Sequence, residues 1–95
     1  MQLAIQPSFE LGCVCMTPGV ERLVRDGQLN PLHYLHRHAS GDWGNVCAAD
    51  RQRNDRGVNA EGRLFSAYDV SPLLRLWIIT EWDRSATTLL LPSEY

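Results

Sequence analysis

No lysine occurs in this 95-residue sequence, whose nine basic residues are all arginine. A GC-rich coding bias suffices to explain that. Its consequence is nine permanently charged, forked donors suited to carboxylate or phosphate. The formal net charge of −2 argues against a nucleic-acid binder of the basic-patch kind, and 11 acidic residues are too few for the dense acidic surface of a DNA mimic. Strong direct nucleic-acid binding is therefore not expected. Nowhere do 18 apolar residues occur together, and MQLAIQPSFELG has no basic leader, so the expectation is a soluble, cytoplasmic protein without a membrane partner. Cys13, Cys15 and Cys47 are an odd number. Cys13 and Cys15 have the C-x-C spacing, which puts both side chains on one face of a strand but rarely favours a mutual disulfide, and a reducing compartment is the simplest reading. The glycines form no phosphate-cradling loop between a strand and a helix, and no cofactor is implied.

At 44% hydrophobic, the chain can bury one modest core and is too short for two domains, so residues 1–95 are read as one. Residues 9–16 alternate with period two and predict a first strand. Thr17-Pro18 reads as cap and first helical residue, with Val20, Leu23 and Val24 on one face and Gly27 as the left-handed stop. Asn30-Pro31 repeats that grammar and opens a helix whose Leu32, Leu35 and Ala39 point inward before Gly41. Asp42 can cap a third helix running to about Arg56, with Val46, Ala49 and Cys47 inward and Asp50, Arg51, Arg53, Asp55 and Arg56 outward. In it, Asp50 and Arg53 have the spacing of a weak ion pair. Residues 63–68, 74–80 and 86–91 then read as three strands joined by the turns at 69–72 and 81–85. The order β-ααα-βββ predicts an α+β domain with an antiparallel sheet of three to four strands and helices packed on one face.

RLFSAYDV, LWIITEWDRSATTLLLPSEY and the earlier SGDWGNVCAADRQRNDR together resemble a family of short proteins encoded on plasmids, integrative elements and prophages. Its members are usually labelled plasmid-related proteins or, misleadingly for a chain this short, type I restriction endonuclease subunit M. The likeness runs from about Gly12 to Tyr95 and is most specific at Trp77-Ile78-Ile79-Thr80-Glu81, Asp83-Arg84-Ser85 and Thr87-Thr88. Trp82 stands where a small residue is expected, and the 69–72 turn lacks an expected Asp-Gly, so contacts at those turns would be special to this chain. The resemblance carries no catalytic assignment. It implies a mobile-element setting, in which small accessory proteins often defeat restriction or CRISPR nucleases.

The polar chemistry concentrates between Asn30 and Arg56, which hold all three histidines. His33 and His36 share a helix face, with His36 near the apolar stripe, while His38 lies near the helix C-terminus, where positive charge is mildly favoured. A zinc site would need His33 and His36 plus a remote thiolate such as Cys47 or Cys13. A small ribonuclease toxin would use His33, His36 or His38 as acid or base with Arg37, Arg84 and Tyr68, but a pI of about 5.8 disfavours a groove for long RNA. A transcription regulator would need a basic recognition helix, which residues 31–56 do not offer. Glu81 and Asp83 read as solvated turn carboxylates and not as a metal site. Trp82 with Arg84 and Asp83 reads as an exposed anchor, and Trp43 as a plug against the sheet or a binding loop; together with Asp50 and Arg53 they form the expected protein-binding surface. Leu89-Leu90-Leu91 could pair edge to edge in a homodimer. The function expected is binding to a host nuclease, restriction or CRISPR complex and inhibiting it, with ribonuclease as the alternative.

Overall fold

The computed structural model describes residues 8–95; the leaderless reading of residues 1–7 lies outside them. The elements are β1 (Cys13–Met16), α1 (Pro18–Arg25), α2 (Pro31–Ala39), α3 (Ala48–Val58), β2 (Leu64–Ser71), β3 (Leu74–Thr80), β4 (Ala86–Leu90) and a closing 3-10 turn, Pro92–Glu94. This is an α+β domain in the expected order. β2, β3 and β4 form the antiparallel meander, and the sheet order is β1-β4-β3-β2. β1, however, pairs with β4 in parallel, so the sheet is mixed and not wholly antiparallel. Parallel neighbours need a long crossover, which everything from α1 to β3 supplies here.

Side chains alternate across the sheet, so Leu64, Ser66 and Tyr68 stand in register with Thr80, Ile78 and Leu76, and Thr87 and Leu89 extend those rows. Val20 of α1, Leu35 of α2 and Leu29 between them pack against Tyr68, Leu76, Ile78 and Leu89 to make the main core. α1 begins at Pro18 and stops at Gly27, where φ is +73°. Thr17 does not cap it. Its hydroxyl instead donates to Glu94 Oε1 at 2.5 Å, and Glu94 Oε2 accepts the Gly19 N–H at 2.9 Å, so a carboxylate from the closing turn caps the helix. α2 buries Leu35 and Ala39 as expected, but Leu32 is 62% exposed. The buried stripe is Leu35, His38 and Ala39, an i, i+3, i+4 set, and Leu32 in the first turn of the helix is left uncovered.

α3 starts at Ala48, six residues after the cap expected at Asp42, and Cys47 and Ala49 are exposed. The intervening residues run as an extended segment along the outer edge of β2. Ala67 N–H donates to Trp43 O at 3.1 Å and Asn45 N–H to Ala67 O at 2.6 Å. Gly44 makes that approach possible. Its φ is +73°, and a Cβ there would overlap the Ala67 carbonyl oxygen and the Tyr68 ring. Gly44→Ala is expected to destabilise the fold by about 2 kcal/mol, lowering the thermal midpoint by roughly 10 °C. A melting curve like the wild type's would show that this segment is dispensable.

α3 packs against β2, with its Gly57 beside the Leu64 side chain. Its buried side chain is Asn54, whose amide NH2 donates to Phe65 O at 2.6 Å and whose Oδ1 accepts Phe65 N–H at 3.1 Å. One amide thus imitates a neighbouring strand. With the segment at 43–45 it seals the β2 edge against further pairing. Leu89 and Leu90 cannot serve as an edge either, because β4 lies between β1 and β3 and both residues are buried. No strand pairs with the outer edge of β1 among the described residues. Among the described residues, no helix is long and apolar enough to cross a membrane.

Candidate functional site

The sheet face away from α1 and α2 carries the odd-numbered residues of β2 and β3, and it is only partly covered. Phe65 and Trp77 meet edge to face there, centroids 5.1 Å apart, and Tyr95 meets Trp77 at 5.7 Å. With Ile79 they floor a groove of about 330 Å³, whose polar rim is Asp50, Arg53 and Asn54 from α3 and Arg63, the residue just before β2. Arg63 lies over the Tyr95 ring at 5.4 Å and donates to its hydroxyl at 2.9 Å, holding that aromatic against the floor. Arg53 pairs with Asp50 at 3.0 Å, the i,i+3 pair expected, and its side chain stays 71% exposed. Such a site offers a flat apolar surface with forked donors at its rim, which suits a side chain combining an apolar body and a carboxylate.

Asp50 and Arg53 are the members of the expected set that this groove unites. Trp82 is 57% exposed on the β3–β4 turn, and Asp83 accepts the Ser85 N–H at 3.0 Å in the same turn. Arg84 does not present its guanidinium as a contact. It donates to the carbonyls of Gly57, Ala60, Gly62, Glu81 and Trp82 and so holds the α3–β2 loop against the turn. Trp43 is buried; its Nε1 donates to Asp55 at 2.9 Å and its ring stacks on Phe9. It is a plug, as one reading held, although it precedes α3 by five residues instead of stapling its first turn. Arg37 is held by Asp42 at 2.7 Å and lies over the Tyr68 ring at 4.6 Å. That hydrogen bond is the main cause holding the Asp42 carboxyl below its ordinary range.

The histidines separate. His33 and His36 are exposed on α2, whereas His38 is fully buried, overturning its expected place as a favoured charge at the helix end. Its Nδ1 lies 2.5 Å from Ser66 Oγ and its Nε2 2.9 Å from Thr80 Oγ1; Thr80 and Thr87 hydroxyls are 2.7 Å apart, and Thr87 donates to Leu11 O. The Leu11 carbonyl can only accept, which orients the whole chain. Thr87 donates to Leu11, Thr80 to Thr87, His38 Nε2–H to Thr80, and Ser66 to the bare Nδ1. The network therefore specifies one neutral tautomer, and burial pushes the imidazole pKa down to about 3. A histidine so placed neither gives nor takes protons at neutral pH. No hydrogen bond among the described residues links His33 or His36 to Arg84. Nor does any group of three or more histidine, cysteine or acidic side chains there come together to hold a metal ion, so His33 and His36 do not converge with Cys13 or Cys47.

Sequence reasoning missed Arg63, Phe65, Ile79 and Tyr95 as a site. A signal was present. Apolar residues occupy both alternating sets of β3, Leu76 and Ile78 on one side and Trp77 and Ile79 on the other, so both faces of that strand need apolar cover or a ligand. No family model, no curated protein and no solved structure matches the chain.

Proposed function

We propose that this chain is a non-enzymatic, cytoplasmic accessory protein of a mobile element, which binds a host nuclease or surveillance complex and blocks it sterically. The observation that carries the binding part is the groove between α3 and the open sheet face, where Trp77, Phe65 and Tyr95 lie beside Arg53 and Arg63. Trp, Tyr and Arg are the residue types that dominate protein interface energetics. The mobile-element part rests on the resemblance of the carboxy-terminal half to plasmid-related proteins. His38, locked neutral in the core, gives the ribonuclease alternative no support.

The test is expression of a tagged protein in a host with an active restriction or CRISPR system, reading phage plaquing and co-purifying proteins. Restored plaquing with a nuclease subunit in the pull-down is expected. The double variant Arg53→Glu, Arg63→Glu reverses charge at exposed positions and should lower recovery of that subunit at least about tenfold, with a thermal midpoint close to wild type. Undiminished recovery would remove the groove from the interface. Growth arrest with cleaved RNA and no partner would overturn the binding reading itself.

A further inference from the structure

Cysteine is among the residue types most often buried, yet Cys13 and Cys15 are both exposed, on a strand whose outer edge pairs with no other strand among the described residues. Their sulfurs lie 3.7 Å apart. That is far beyond the roughly 2.05 Å of a disulfide. It is close to the separation of about 3.8 Å that two thiolates adopt on one tetrahedral ion with metal–sulfur bonds of about 2.3 Å. Linear two-coordination at that bond length would instead require about 4.6 Å.

The backbone under the pair is fixed. β1 is in parallel register with β4, Cys13 beside Ala86 and Cys15 beside Thr88, and the Cys13 N–H donates to Ser85 O at 3.0 Å. Ala86 and Thr88, their neighbours on β4, carry short side chains. Cys15 is in the row of Thr88, Ile79 and Phe65, which places the dithiol on the same sheet face as the groove, at the opposite edge. We propose that Cys13 and Cys15 form a bidentate site for a thiophilic, closed-shell divalent cation of the zinc and cadmium class, with solvent filling the remaining positions.

Metal–sulfur bonding takes the thiolate, so an arriving ion displaces the thiol protons. In the binding step two S–H bonds break, two metal–sulfur bonds form, and both protons pass to buffer; nothing is oxidised or reduced.

The experiment is titration of the intact chain, kept reduced with a phosphine, with Cd2+ while recording the thiolate-to-metal charge-transfer absorbance and the protons released. The expected result is saturation at about one ion per chain with about two protons released, and affinity that rises with pH. Cys13→Ser and Cys15→Ser should each lower the affinity at least about tenfold, while Cys47→Ser leaves it unchanged. Both serine variants alter exposed side chains, and circular dichroism verifies their folding. An absent or non-saturating band, an undiminished affinity in either single variant, or a band lost in Cys47→Ser would each overturn the site.

Discussion

Stability should fall by about 1.4 kcal/mol for each pH unit below 6.5, reaching a loss of about 2 kcal/mol by pH 5, because of a single buried imidazole. His38 titrates at about 3 in the fold instead of its ordinary 6.5. Above 6.5 it is neutral in both folded and unfolded chains and contributes no pH dependence. Between 6.5 and about 3 the unfolded chain takes up a proton that the folded one excludes, so acid favours unfolding. Its neighbours reinforce the exclusion: Phe9 and Trp43 meet the ring edge to face at 5.3 and 5.6 Å, and its polar partners Ser66 and Thr80 carry no charge. His38→Gln keeps one donor and one acceptor and cannot be protonated, so it isolates the effect. Urea unfolding at pH 7.0, 6.0 and 5.0 should give a steep fall for wild type and a nearly flat series for the variant. The Asp42, Asp83 and Glu94 carboxyls, held below their ordinary range, add their own losses only at more acid pH. Parallel slopes for the two proteins between pH 7 and 5 would show that His38 is not the source.

The order of elements was legible because each helix start and strand carries local chemistry: Pro18 and Pro31 at first helical positions, Gly27 and Gly41 at stops, period-two runs from Leu64 onward. What escaped were features whose cause lies far off in the chain. Thr17 looks like a cap, but the capping oxygen comes from Glu94. Asp42 looks like the start of α3, but Gly44 and Ala67 draw the following residues along β2. His38 looks like a surface charge from its place near the end of α2, and only the hydroxyls of Ser66 and Thr80 explain its burial. Likewise the groove needs α3, two strands and the closing turn at once, so no window of sequence could display it.

The same long-range logic sets the second large effect: Arg84→Gly should cost about 3 kcal/mol, even though it relieves a strained backbone. Arg84 sits at φ 61°, a left-handed conformation that costs a residue with a side chain about 1–2 kcal/mol and glycine nothing. If local conformation governed, the variant would be more stable. Against this stand five donated hydrogen bonds, with Nη1 on Gly62 O at 2.5 Å and Nη2 on Gly57 O at 2.5 Å and Ala60 O at 3.0 Å as the closest. Bonds from a charged donor contribute about 1.5–3 kcal/mol each, and carbonyls stripped of a partner in a partly buried site recover only part of that from water. The positive charge also lies near the C-terminus of α3, where Gly57 offers one of the helix's last carbonyls. A domain of this size has about 5–14 kcal/mol in total, so the clamp is a large share of it. Arg84→Lys keeps the charge but replaces a planar fork with a point donor that cannot span two loops, and should fall between wild type and glycine. Urea midpoints for the three proteins decide the matter. A glycine variant as stable as wild type would return Arg84 to the surface as a free contact for a partner, whereas the expected order makes any loss of binding in Arg84 variants a consequence of lost structure.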